Sequence, residues 1–536
     1  MSDIELVLAL LAAAVALVWL ARIIKVPYPA LLVVAGLGIG LLPGVPDLSL
    51  DPDIVFLIFI PPLVHASAWQ ASPRHLREFA RPIGQLAILL VLLTMGAVAL
   101  VAHTLIDGMS WQAAFVLGAI VAPTDPVAAT AVFRRLGVPP HLLTLLEGES
   151  LLNDATALVG YRIAVAAIVS VSYSVLDGAV DLVLVSAGGV VIGLAIAWVV
   201  AQAHRRLEDA MIQIAVTLIT PYAAFIAAEQ AHTSGIIAAV VSGLYLGWKS
   251  TEFFAPTTRI QAWSFWEVMV FLLEALLFIL IGLQFPGVVD RLSGTPASDL
   301  ALYAVAVAVT VTAVRFLFLF TVAELDESYE GTMRGQRRPK VTRPERIVGA
   351  WSGMRGAVSL AAALAIPLTT DTGVPFPDRE LILFLTLTTI SFTLLVQGLT
   401  LPALIRKLKV EDTRTGEFRR AQARFDTVQA ALAHVSQLSF ENGLSPGVIE
   451  RARGMYTSRA RQLAGECRIG VEVEEHDDEA WSNLRRELLA VERQELLRLR
   501  DDGKIPNRVV LEVERDLDLE ESRLDRRPFQ SPVEVG

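Results

Sequence analysis

Thirteen apolar stretches, most of them about 20 residues long, occupy the first 408 residues of this chain. They cover approximately 4–24, 28–43, 53–70, 83–106, 111–134, 142–172, 178–203, 209–230, 233–248, 265–286, 299–323, 346–368 and 379–404. A helix of about 20 residues spans the hydrocarbon core of a bilayer. In lipid every backbone N–H and C=O must be satisfied inside the spanning structure. The pattern therefore predicts an all-α polytopic membrane protein. At 54% hydrophobic residues and a mean hydropathy of +0.54, a chain of 536 residues is too apolar for a soluble fold. The first stretch follows Asp3 and Glu5 with no basic n-region, so it reads as a retained helix and not a cleaved signal peptide.

The connecting loops sort by charge. Basic residues follow the odd-numbered stretches: Arg22 and Lys25, Arg74 with Arg77 and Arg81, Arg134 and Arg135, Arg205 and Arg206, Lys249 and Arg259. Arg334, Arg337, Arg338, Lys340 and Arg343 follow the eleventh, and Arg406, Lys407 and Lys409 the thirteenth. The other loops are poor in basic residues and carry Asp47, Asp51, Asp53, Asp107, Asp177, Asp181 and Glu229. Positive loops stay in the cytoplasm, which predicts an outside N-terminus and a cytoplasmic C-terminal region in a multi-pass plasma-membrane protein. An odd count of spans also permits two six-helix halves offset by seven and inverted relative to each other, an arrangement common in secondary transporters. Under that offset the fifth stretch pairs with the twelfth and the sixth with the thirteenth.

Three polar interruptions break the apolar pattern. The sixth stretch contains Glu149-Ser150-Leu151-Leu152-Asn153-Asp154. Helical residues three and four apart share a face, so Glu149, Ser150, Asn153 and Asp154 form one stripe. Ionisable groups at membrane depth are costly and mark ion or proton pathways. The fifth stretch contains Ala122-Pro123-Thr124-Asp125-Pro126. Its prolines lack amide hydrogens and break the helix, leaving Asp125 to compensate a positive half-helix end and Thr124 to offer oxygen to a hard cation. The twelfth contains Gly353-Met354-Arg355-Gly356. A buried arginine needs an anionic partner, and Glu149 is the natural one if Asp154 is kept for a cation.

Four motifs, APTDPVAATAVF (122–133), EGESLLNDATALV (147–159), FLLEALLFILIGLQ (271–284) and GMRGAVSLAAALAIP (353–367), resemble the monovalent cation:proton antiporter family 1, the sodium/proton exchangers, over about residues 1–408. The resemblance implies broken crossing helices and a site in which Asp154 binds cation and proton in turn. Ser150 and Thr124 would be further Na⁺ ligands, with Asn153 beside them. Glu149 and Arg355 would form a structural ion pair, and Asp125 would support the helix crossing. Asn153-Asp154 resembles the Asn-Asp pair of the electroneutral branch. A homodimer is likewise implied. The chain departs from the family at Ala66 and Ser67, where relatives usually carry an acid, and at Glu274, where they often carry an amide. His65 and Ser67 are then candidates for path lining or pH sensing together with Glu274, and Arg162 is a candidate to neutralise Glu274.

The expected chemistry is competition at one carboxylate. Held largely out of water, it takes a proton or a cation but not both. With Asn153 neutral, one H⁺ exchanges for one Na⁺, Li⁺ or K⁺ without net charge movement. The hard-oxygen ligand set suits alkali cations without choosing among them, so a K⁺-preferring exchanger is the nearest alternative. An intramembrane aspartyl enzyme would need Asp125 and Asp154 as its pair, but neither lies in a Gly-Asp motif and Arg355 would have no role. Direct ATP drive within this chain lacks its phosphate loop, because Gly247-Trp248-Lys249-Ser250 has the wrong spacing. The single cysteine, Cys467, excludes an internal disulfide framework. No resident cofactor and no nucleic-acid motif is expected. Residues 409–536 are charged and read as a cytoplasmic, mostly helical regulatory or assembly region. A helix is predicted from Asp478 to Arg500 from the spacing of Trp481, Leu484, Leu488, Val491, Leu496 and Leu499.

Overall fold

The computed structural model describes residues 3–24, 27–42, 52–71, 79–169, 175–329, 341–410, 427–435 and 446–466, with Phe425, Glu492 and Arg498. Contacts divide the chain into two units, Met1–Thr413 and Arg414–Gly536. In the first, α1 is Asp3–Ile24, α2 Tyr28–Gly40, α3 Pro52–Gln70 and α4 Ala80–Leu105. The fifth apolar stretch holds two helices, α5 (Trp111–Val121) and α6 (Val127–Leu136), and α7 (Pro140–Val169) follows. Next come α8 (Val175–His204), α9 (Ala210–Gln230), α10 (Gly235–Phe253), α11 (Pro256–Arg291) and α12 (Ala297–Tyr329). The twelfth stretch is again split, into α13 (Arg343–Trp351) and α14 (Ala357–Leu364), before α15 (Arg379–Leu408). Among the described residues, α4, α7, α8, α9, α11, α12 and α15 are long and apolar enough to cross a membrane; shorter apolar helices lie in α1, α2, α3 and α5.

Local chemistry sets the boundaries. Ser110 caps α5 by accepting from Ala113 N at 3.1 Å. Asp209 caps α9 through Met211 N and Ile212 N, and Thr342 with Glu345 forms a reciprocal capping box on α13. Gly137, with φ at 64°, ends α6 in the left-handed conformation. Two π-turns interrupt long helices, Gln85–Leu89 in α4 and Thr393–Gln397 in α15. The second lies against the break between α13 and α14, where Thr393 Oγ1 accepts from Arg355 N at 3.0 Å.

Packing places the broken helices in the interior. α5 is buried nearly all round, at Ala113, Ala114 and every residue from Val116 to Val121. A helix apolar on every face belongs inside a bundle. α2 and α11 cross closely because Gly36 and Gly282 face the opposing backbones; a Cβ on Gly282 would overlap Val33 O. Small residues permit this approach where lipid offers helices no hydrophobic drive to associate. It holds Tyr28 at the start of α2 within reach of Glu274 on α11, where their contact is 3.0 Å.

In the second unit, α16 (Pro446–Glu466) contributes Ala460 and Tyr456 to a small apolar cluster with Phe425, Val428 and Leu432. The remainder of the helix predicted over 478–500, and Cys467, lie outside the described residues, as do Lys25, Arg74, Arg77, Arg334, Arg337, Arg338 and Lys340.

Candidate functional site

The two interrupted helices meet at their breaks. Asp125 N donates to Met354 O at 2.8 Å, joining one break to the other through main chain. The Asp125 carboxylate accepts from Val127 N at 2.8 Å through Oδ1 and from Ala357 N at 3.2 Å through Oδ2. These are the first residues of α6 and α14, so one carboxylate caps two positive helix ends. Gly356 is glycine for lack of space, since a Cβ there would overlap Asp125 Oδ2. The expectation that Asp125 compensates a half-helix end thus has a geometric counterpart at two ends.

Arg355 answers the opposite polarity. Its Nε donates to Val121 O at 2.6 Å and Nη1 to Gly353 O at 3.1 Å. Val121 is the last residue of α5, so the guanidinium sits on a negative helix end. This corrects the pairing expected from sequence. Glu149 is held by Arg315 of α12, which places Nη1 on Oε1 and Nη2 on Oε2, the latter at 2.8 Å, and donates from Nε to Gly349 O at 3.2 Å. Both side chains of this pair are no more than 4% exposed. A planar fork on a carboxylate satisfies both groups in parallel, and Gly353 leaves the space that Arg315 fills. The signal for Arg315 was present in sequence: it is the one charged residue between 300 and 323. Sequence alone does not choose between it and Arg355, which a motif elsewhere supplies.

The Glu149 network continues into the break. Thr124 Oγ1 donates to Glu149 Oε1 at 3.1 Å and accepts from Asn153 Nδ2 at 2.8 Å. Asn153 lies off the cavity wall, and its Oδ1 is buried without a hydrogen-bond partner among the described residues. Its side chain holds Thr124 in place, which differs from the expected position beside the cation.

A cavity of about 50 Å³ lies at the crossing. That is room for a few small species, such as an ion with some of its water. Thr124, Asp125, Ser150, Asp154, Glu274 and Ser359 supply its polar wall, and Ser67 lies at an exposed position on it. The Asp154 carboxylate is buried and accepts no hydrogen bond from the described residues. Glu274 is buried and accepts from Tyr28 Oη through Oε2. Ser67 turns its hydroxyl back to Leu63 O at 3.0 Å.

Two other expectations are corrected. His65 is fully buried but points away from the cavity, with Nδ1 3.1 Å from both Ala239 O and Ser242 Oγ of α10. Arg162 does not neutralise Glu274. Its Nη1 pairs with Glu229 Oε1 at 2.7 Å, and its guanidinium lies over Phe56 and Phe225 at 5.5 and 6.0 Å.

Comparison with known proteins identifies the family. The transmembrane sodium/hydrogen exchanger family matches residues 7–407. The uncharacterized Na⁺/H⁺ exchanger Rv2287 of Mycobacterium tuberculosis is 34% identical over 533 residues, covering 97% of this chain and 95% of the relative. A sodium, potassium, lithium and rubidium/H⁺ antiporter of Bacillus subtilis is 30% identical over 390 residues, covering 71% of this chain and 58% of that one. The sodium proton antiporter MjNhaP1 of Methanocaldococcus jannaschii shares the fold, with a TM-score of 0.59 at 20% identity over 76% of this chain and 98% of that chain. The chain is a multi-pass membrane protein and belongs to the sodium/hydrogen exchanger family.

Proposed function

We propose that the chain is a secondary antiporter that exchanges one Na⁺, or another alkali cation, for one H⁺, with Asp154 carrying each in turn. One observation supports this most directly. Asp125 and Glu149 spend their carboxylate oxygens on protein donors, whereas Asp154 faces the cavity with none among the described residues. A carboxylate so placed is stabilised by whichever positive charge enters, and a cation and a proton exclude each other there. Ser150 and Thr124 share the wall and would add oxygen ligands; the Thr124 hydroxyl is already engaged, so its share is the smaller.

Charge accounting supports an electroneutral cycle. Glu149 is balanced by Arg315, while Asp125 and Arg355 each answer helix ends. Asn153 adds no charge beside Asp154. The loaded and protonated forms of Asp154 then carry the same net charge, and membrane potential, worth about 2.3 kcal/mol per charge per 100 mV, does no work on the exchange. Alternating access in this reading moves α5, α6, α7, α13 and α14 against the rest, within thirteen crossings whose N-terminus is outside. Arg162 lies eight residues beyond Asp154 on α7, about 12 Å along the helix. Its pairing with Glu229 would close the outer side while Ser67 marks a cytoplasmic mouth.

The test is proton flux in vesicles reconstituted with the full chain. Adding Na⁺, Li⁺ or K⁺ outside acid-loaded vesicles should alkalinise the lumen, and Asp154→Asn should abolish the response. The order of the three ions decides between Na⁺ and K⁺ preference. A rate that rises steeply with an imposed potential would refute electroneutrality, and absence of cation-dependent flux would refute antiport.

A further inference from the structure

Pairing off the charged groups of the membrane core leaves a remainder that the proposed cycle does not use. Arg315 is taken by Glu149, and Arg355 by Val121 O at the end of α5 and by Gly353 O beyond α13. Arg162 is taken by Glu229, which also accepts from Gly235 N at 2.9 Å. Among the described residues, two buried acids then have no basic side chain bonded to them, Asp154 and Glu274, and both line the same cavity. Asp125, the third acid on the wall, is saturated by backbone donors. Two unpaired acids do not both stay ionised in a small buried space; they share protons or a cation.

Glu274 is also oriented for such a role. It comes from α11, a different helix from the α7 that carries Asp154. Tyr28 Oη donates to Oε2 at 3.0 Å, and the Tyr28 ring is itself held edge-on by Phe271 at 5.9 Å between centroids. The close α2–α11 crossing fixes both partners. Oε1 has no protein donor among the described residues. One oxygen is anchored, and the other remains for the cavity's contents.

We propose that Glu274 is the second acid of the cation site: it coordinates the transported ion together with Asp154, and Tyr28 positions it. The pair holds either two protons or one proton and one cation. Both states carry the same charge, so the exchange stays one for one, and Glu274 sets how tightly and how selectively the ion is held. This rests on Asp154 being the carrier.

The experiment measures half-saturating Na⁺, maximal rate and the Na⁺:Li⁺:K⁺ order in reconstituted full-length protein. Glu274→Gln removes the shared proton and Glu274→Leu the oxygen as well. Expected are rises in half-saturating Na⁺ of about tenfold for Gln, or ~1.4 kcal/mol, and more for Leu. The cation order should change, with the H⁺:cation ratio still one. Tyr28→Phe, which deletes only a hydroxyl, should shift the same parameter by a smaller factor and raise half-saturating Na⁺ more than it lowers the maximal rate. Na⁺-dependent thermal stabilisation of the purified variants reads binding without transport, and it should weaken in the same order. Unchanged half-saturation and cation order in Gln and Leu variants that fold would overturn the proposal, as would a Tyr28→Phe protein indistinguishable from wild type in both measurements. A wild type that is stabilised by Na⁺ through Glu274 yet shows no exchange would refute antiport and leave this site standing.

Discussion

Removing Arg315 is predicted to cost far more than removing a typical membrane-facing charge. Its side chain and that of Glu149 are 4% and 2% exposed, and each guanidinium terminus meets one carboxylate oxygen. Arg315→Met leaves the Glu149 carboxylate in the same dry position with, among the described residues, only the Thr124 hydroxyl as donor. Breaking one side of such a pair costs about 3–5 kcal/mol, because the surviving charge stays buried. Replacing both partners with apolar residues of similar volume is often neutral or stabilising by about 1–4 kcal/mol. Arg315→Met is thus expected to lose about 3–5 kcal/mol in reversible SDS unfolding of the purified protein, and Glu149→Met/Arg315→Met should recover most of it. The coupling between the two substitutions should exceed about 2 kcal/mol, within the 0.5–3 kcal/mol seen for residues sharing a network. Glu149 with Arg355 should show much less, since Arg355 spends its donors on Val121 O and Gly353 O. A single Arg315→Met variant within 1 kcal/mol of wild type, or stronger coupling of Glu149 to Arg355, would refute the assignment.

Gly356→Ala should drive the Asp125 carboxylate off Ala357 N and lose a charge-assisted hydrogen bond of about 1.5–3 kcal/mol. Gly96→Ala, where a Cβ meets nothing within 4 Å, is the control for helix glycine in general; equal thermal stability of the two variants would count against the crossing as described. His65→Gln should leave the pH dependence of exchange superimposable on wild type, because the ring bonds α10 and lies off the cavity. A displaced pH profile in that variant would return His65 to the ion path.

Helices are legible in this sequence and side-chain partners are not, for one physical reason. Apolar length, proline and glycine report on backbone state, and these are local properties. Hence the interruptions at Pro123–Pro126 and Gly353–Gly356 were legible, and so was the use of Asp125 on a helix end. Which arginine meets Glu149 depends on how α7 and α12 approach, which is set by packing across 166 positions of sequence. The partners of Arg162 and Glu274 are hidden similarly, because Glu229 and Tyr28 have no periodic relation to them. His65 was ambiguous because a period of 3.6 cannot say which neighbour a face meets. Asn153 lies on the same stripe as Asp154, yet one position of helical rotation is enough to turn it from the cavity to Thr124.

The contacts at the crossing also determine what substitution can and cannot repair there. Each partner that the Asp125 carboxylate and the Arg355 guanidinium bind is a main-chain atom, supplied by Val121, Val127, Gly353 and Ala357. Any residue of suitable size supplies the same atom, so the residues at these four positions are limited by volume and not by polarity. An ion pair between two side chains tolerates reversal, with the acid and the base trading places. This crossing does not, because each charge faces the end of a helix whose polarity follows from the N-to-C direction of the chain. Asp125→Arg combined with Arg355→Asp would set both charges against their helix ends at once. The direction in which the backbone is threaded, fixed before any side chain is chosen, dictates which break carries the acid and which the base.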